Sequence, residues 1–130
     1  MQIEFRDAMV NVATGGVELN KDLPPVLLVH GAGMDRTVWS QQTRYLAHHG
    51  FAPMALDLPG HGDSEGALLP SVAEMAEWVG AFIEMMALGP VRLVGHSMGS
   101  LISLEVAARY PQTAERLILM GAAAAMPVHP

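Results

Sequence analysis

Residues 95 to 99 read Gly-His-Ser-Met-Gly and follow a short aliphatic run, "VRLV". A serine set between two glycines where a strand gives way to a helix forms a nucleophile elbow. The tight turn strains the backbone and lifts Oγ clear of the sheet, and the positions two before and two after must be small because strand and helix pass closely. Gly95 and Gly99 meet that demand around Ser97. At ordinary glycine and serine usage the bare pattern arises by accident in roughly one chain in twenty of this length, so the surrounding pattern has to carry the reading. The chemistry such a serine offers is attack on an acyl carbon, and the resulting oxyanion must meet preorganised donors. The Met98 N–H would be one, because the first amides of a helix have no intrahelical partner and the helix dipole favours negative charge there. The second would come from "HGAG", residues 30 to 33. Gly31 and Gly33 on either side let the Ala32 amide turn inward, with the Gly33 amide as second choice, and His30 opens the turn. A tight turn with no binding role is the plainer reading of the same residues.

The elements that position these residues follow from hydrophobic period. Residues 2–5 and 9–13 alternate with period two and meet Thr14-Gly15-Gly16, which predicts an antiparallel start. "VLLVHG" is a continuous apolar run, as in a strand covered on both faces, and a helical segment follows with Trp39, Thr43, Leu46 and Ala47 on one side until Gly50. "FAPMALD" is the next strand and "LPGHGDSEGALLP" a loop. Ser71 with Glu74 reads as a capping box for a helix bearing Val72, Met75, Val79, Phe82, Ile83 and Met86 on one face, with Gly80 a weak point and Gly89-Pro90 the stop. After the elbow come a mostly apolar helix to about Tyr110 and a last strand, "RLILM", at 116–120. This alternation predicts an α/β fold with a mainly parallel sheet, right-handed crossovers and antiparallel N-terminal strands. In open parallel sheets, ligands gather at the carboxyl ends of strands. The 30–33 turn, Asp57 with its following glycine-rich loop, and the 95–99 elbow each follow a strand directly.

Composition narrows the classes of partner. The 130 residues carry 7 Lys and Arg against 13 Asp and Glu, for a formal charge of −6, with 51% hydrophobic residues. Mean hydropathy is +0.28. Such a chain is globular and offers no electrostatic footprint for nucleic acid or an anionic membrane. Having no cysteine excludes disulfides, thiolate catalysis and cysteine-ligated zinc. The opening "MQIEFRD" lacks the basic and apolar regions of a signal peptide, so a cytoplasmic location is expected. The apolar stretch at 117–128 falls short of the about 20 residues that span a bilayer. His48-His49 at a helix end suits the helix dipole better than a metal, and no metal site is expected from His30, Asp57 and His61. The ten methionines are expected mostly as core filler, some of them lining an apolar substrate pocket.

The stretches "PPVLLVHGAG", "ALDLPGHGDS", "VRLVGHSMGSLISLEVAARYP" and "RLILMGAAA", in this order, resemble the N-terminal half of an α/β-hydrolase fold enzyme. The resemblance implies Ser97 as nucleophile, the Met98 and Ala32 amides as oxyanion hole, residues 57–64 as a structural loop, and no cofactor. It implies a small-molecule substrate with an ester-like bond: a carboxylic ester, a lactone or a C–C bond beside a carbonyl. Serine rather than aspartate at 97 argues against dehalogenase and epoxide-hydrolase chemistry. In this fold the triad runs serine, acid, histidine along the chain. After Ser97 there is no aspartate; Glu105 falls within a helix, Glu115 before the last strand, and the only histidine is His129. His96 neighbours Ser97, but adjacent residues point to different sides of the chain, so it reads as packing or hydrogen bonding behind the elbow. "AAAAMPVHP" resembles the entry to the family's lid. The expectation is therefore that residues 1–130 are the N-terminal part of a single domain, truncated before the cap and last strands, with the triad acid and histidine elsewhere. The last strand would be an exposed edge open to self-association. Two other classes are an inactive fragment or binding module, and a dinucleotide-binding domain. For the latter, Gly31-x-Gly33 with Asp57 half-imitates the fingerprint, but Arg36 occupies the third glycine position and the elbow is left unexplained.

Overall fold

The computed structural model describes residues 1–121. Strands β1 (Gln2–Phe5) and β2 (Ala8–Ala13) pair antiparallel, with Phe5 opposite Ala8. The two residues between them, Arg6 and Asp7, both have positive φ, 51° and 62°. That is the type I′ hairpin whose twist suits the flanking strands. The Thr14-Gly15-Gly16 turn predicted from sequence therefore lies after the hairpin and leads the chain out of β2. The glycine pair is the stronger turn signal, but β1 and β2 are closed by a pair in which only Asp7 tolerates such a φ readily.

The sheet has six strands in the order β1-β2-β4-β3-β5-β6, with β3 (Pro25–Val29), β4 (Ala52–Leu56), β5 (Val91–His96) and β6 (Ala114–Met120). β2 runs antiparallel to β4, and the other neighbours of β3, β4 and β5 are parallel, as predicted. Three α-helices connect them: α1 (Ser40–Ala47, behind a short 3-10 turn at Arg36–Trp39), α2 (Val72–Met86) and α3 (Met98–Arg109). Crossovers of one hand put helices on opposite faces when the chain reverses direction across the sheet. The step from β3 to β4 carries α1 to one face, while the steps to β5 and β6 carry α2 and α3 to the other.

The larger core lies under α2 and α3, where Leu27, Val29, Met54, Leu56 and Leu93 meet Val79, Phe82 and Ile102. The smaller lies under α1, where Val26, Leu28, Ala55 and Val94 meet Trp39. The Ser71 hydroxyl accepts the Glu74 N–H at 3.1 Å to open α2, as the capping pattern predicts. The helix closes at Ala87, left-handed with φ 54°, two residues before the predicted stop. Gly80 has a packing reason to be glycine, since a Cβ there would stand 2.7 Å from the Tyr110 ring. Met54, Met75, Met86 and Met98 are buried, whereas Met1, Met85 and Met120 are exposed, so core filling accounts for only part of the methionine content. Among the described residues no helix is long and apolar enough to cross a membrane. Among the described residues β6 is one of the sheet's two edge strands, β1 being the other, and its Ile118, Leu119 and Met120 side chains are exposed.

Candidate active site

Ser97 sits between β5 and α3 with φ 56° and ψ −119°. For a residue with a Cβ that is a costly conformation, held only where the surroundings over-determine it. They do so here. A Cβ on Gly95 would stand 2.3 Å from the Gly99 carbonyl oxygen, and one on Gly99 would stand 2.1 Å from that of Val29. Strand, elbow and helix therefore touch backbone to backbone. The Ser97 N–H donates to the Met120 carbonyl at 2.9 Å. Ser100 completes the brace: its buried Oγ lies 2.9 Å from the Gly95 and Met120 carbonyl oxygens and accepts the Met120 N–H at 3.2 Å. Nothing in the Gly-x-Ser-x-Gly pattern points to Ser100. Its only signal is a hydroxyl in the apolar first turn of α3, where it needs a partner. The Met98 N–H belongs to the first helical residue, at the positive end of α3.

The 30–33 turn packs directly on this elbow, because a Cβ on Gly31 would lie 3.2 Å from Ser97 Cβ and 3.4 Å from the His96 carbonyl oxygen. The turn is closed by the Met34 N–H donating to the Gly31 carbonyl at 3.2 Å. Gly33 takes the positive φ, 70°, that the turn requires. His30 is wholly buried; the Leu58 N–H donates to its Nε2 at 3.1 Å, and its Nδ1 lies 2.7 Å from the Gly31 carbonyl oxygen. Burial holds this imidazole below the ordinary histidine value of 6.5.

Asp57 anchors the neighbouring strand end. Its buried carboxylate accepts the Arg36 N–H at 2.7 Å, the Arg36 guanidinium at 2.5 Å and the Asp63 N–H at 2.9 Å. The Ser64 hydroxyl donates to its carbonyl at 2.7 Å. The β3–α1 turn and the β4–α2 loop are thus tied to one carboxylate. Arg36, which the sequence reading used only as a misfit to a glycine pattern, is the tie. His30 and Asp57 spend their polar atoms on the chain itself, which leaves Asp57 no free edge to receive a ribose.

His96 shares the α1 face of β5 with Val94. Its ring stands edge-on to Trp39, 6.4 Å between centroids, and its Nδ1 is buried with no hydrogen-bond partner among the described residues, as is Trp39 Nε1. Of the two roles expected behind the elbow, packing is the one observed. Glu105 pairs with Arg109 within α3, and Glu115 lies 3.6 Å from Arg92 at the start of β6, the end away from the elbow. His49 Nδ1 lies 2.6 Å from the Tyr45 carbonyl oxygen, in keeping with a helix-end role. His129 and the "AAAAMPVHP" stretch lie outside the described residues. A cavity of about 720 Å³ opens on the α1 face, bounded by Val26, Leu28, Trp39, Phe51, Val94 and Ile118. It lies along the flank of the sheet, and neither Ser97 nor Ala32 lines it.

A mainly parallel sheet carrying a strained serine at a strand-to-helix turn, with a glycine turn against it, is the architecture of α/β hydrolases. The chain belongs to that family: its family model, described as alpha/beta hydrolase fold, matches residues 24–130. Among curated relatives, the (E)-2-((N-methylformamido)methylene)succinate hydrolase of Acinetobacter baylyi is 37% identical over 97 residues, 74% of this chain and 36% of its own length. Among solved structures, a membrane phospholipase A described as a bacterial virulence factor superposes with a TM-score of 0.86 at 32% identity, covering 100% of this chain and 41% of that one. A thermophilic esterase superposes with a TM-score of 0.79 at 28% identity, covering 100% of this chain and 47% of that one. The chain thus spans less than half the length of each of these proteins.

Proposed function

We propose that this chain carries the nucleophile and oxyanion hole of a serine hydrolase that cleaves an ester-like bond in a small molecule through an acyl-enzyme. The observation behind this is the Ser97 backbone, held at φ 56° and packed against Gly31 of the turn that would supply the second oxyanion donor. In the proposed mechanism Ser97 Oγ attacks the carbonyl carbon while a histidine, supplied by the complete polypeptide and oriented by an acid, takes the serine proton. The Met98 and Ala32 amides receive the oxyanion. Collapse expels the leaving group, which takes that proton. Water then attacks the acyl-enzyme with the same histidine as base, releasing the acid and restoring Ser97. No cofactor enters this scheme. That relatives are named hydrolase, phospholipase and esterase supports the bond class. The lack of cysteine suits a reducing, cytoplasmic setting.

Residues 1–130 alone would be nearly inert under this reading, because the oxyanion hole cannot replace the base. They would also self-associate through the outer edge of β6. The test is an organophosphonate probe applied to the complete polypeptide. It should label Ser97, and Ser97→Ala should abolish labelling and lower kcat on an activated aryl ester by about 10⁶-fold. Labelling that survives the substitution overturns the assignment.

A further inference from the structure

We propose that His30 is a positioning residue for the oxyanion turn: as its Nδ1–H tautomer, braced by the Leu58 N–H, it clamps the Gly31 carbonyl and so sets the direction of the Ala32 N–H. The inference rests on the serine-hydrolase reading above and assigns a part of the same site.

Two backbone groups of fixed chemistry determine the tautomer. The Leu58 N–H can only donate, so Nε2, at 3.1 Å, presents a lone pair. The single proton of the neutral ring is then on Nδ1, where it meets the Gly31 carbonyl oxygen, which can only accept, at 2.7 Å. The Met34 N–H reaches the same oxygen at 3.2 Å, so two donors hold it. The Gly31 carbonyl and the Ala32 N–H belong to one planar trans peptide and point in opposite directions. Clamping the oxygen therefore fixes the amide. Gly31 has no Cβ to restrict its backbone, so the clamp supplies the restriction.

The relay crosses strands. Asp57 and Leu58 follow β4, His30 follows β3 and Ser97 follows β5, so the second oxyanion donor is oriented from the loop after a different strand. A catalytic donor displaced even slightly loses much of its value, since its advantage is preorganisation. A ring proton on Nε2 would face the Leu58 N–H donor to donor and leave Nδ1 a lone pair against the Gly31 oxygen. Either mismatch would release the peptide.

The test uses the complete polypeptide. Imidazole ¹⁵N correlation spectra should show His30 with its proton on Nδ1 and a lone pair on Nε2 at neutral pH; the opposite tautomer overturns the proposal. In steady-state kinetics on an activated aryl ester, His30→Leu should lower kcat by about 10²-fold with little change in KM. His30→Asn, whose side-chain amide can donate near the Nδ1 position, should recover most of the loss. A folded His30→Leu protein with unchanged kcat, or an Asn variant no better than Leu, also overturns it. Ser97→Ala measured alongside separates the two ideas: if Ser97→Ala is inactive while His30→Leu is fully active, the hydrolase reading stands and the clamp falls. If His30→Leu fails to fold, the spectra and the Asn variant still decide.

Discussion

Two flanks of Ser97 are built differently. Toward β3 and β4, polar atoms are paired several times over: the Asp57 carboxylate takes three donors, His30 uses both ring nitrogens, and Arg36 reaches Asp57 and Asp63. Behind the elbow on the α1 face, His96 Nδ1 and Trp39 Nε1 are buried with no partner among the described residues. In the role proposed for it the 30–33 turn must be rigid before substrate arrives, and the redundancy suits that task. Under the proposed function, the base comes from another part of the polypeptide. The contrast teaches that the described residues pair the polar atoms around the 30–33 turn among themselves, while two buried nitrogens behind the elbow find no partner among them.

The strongest way to break the comparison is at Asp57. Asp57→Ala leaves Arg36 Nη1 and two backbone N–H groups without their acceptor, Asp63 still holding Nη2, and should cost about 3 kcal/mol or more in denaturant unfolding. A loss near zero would mean that the pairing on this flank is incidental.

Acid should sharpen it by a smaller amount. His30 is kept neutral by burial, with the His61 ring 4.9 Å away opposing its protonation and Asp57 and Asp35 favouring it. Its folded pKa is depressed, so the unfolded chain binds the proton first. Stability is then lost as the pH falls below the ordinary value of 6.5 toward the folded one, by at most about 1.4 kcal/mol per pH unit from this group. His30→Asn should remove that component, seen as a flatter dependence of unfolding free energy on pH. An unchanged slope would place the acid sensitivity elsewhere.

The smallest effect is expected at His96. His96→Leu replaces a buried, unpaired nitrogen with apolar volume and should shift the unfolding free energy of residues 1–130 by less than about 1 kcal/mol. A loss of twice that would show that the flank behind the elbow is already paired.

Much of this fold was legible because its signals are local. A continuous apolar run marks β3, "FAPMALD" marks β4 and the short aliphatic "VRLV" marks β5, the Ser71-to-Glu74 spacing marks α2, and the glycines around Ser97 mark the elbow through a steric demand that the Val29 and Gly99 carbonyls account for. The hairpin at Arg6-Asp7 was missed because arginine carries no turn signal and its φ is imposed by strand pairing. The last helix-face residue expected, Met86, is the last of α2, and the left-handed Ala87 cap falls between it and the Gly89-Pro90 stop. Within the site, the serine and both turns were legible, whereas Arg36, Leu58 and Ser100 were not. Their parts depend on which strand ends the sheet order places side by side, and strand order is a long-range outcome that no local pattern encodes.

The hydrogen bonds from Ser97 N–H and Ser100 Oγ to Met120 make the edge strand a tether for the reactive backbone. Met120 is the last residue of β6. Peeling that strand from its carboxyl end would release Ser97 and Ser100 first and the Val91 end of the ladder last. The backbone of the elbow therefore shares its hydrogen bonds with the carboxyl end of an edge strand, and whatever displaces Met120 reaches Ser97 directly.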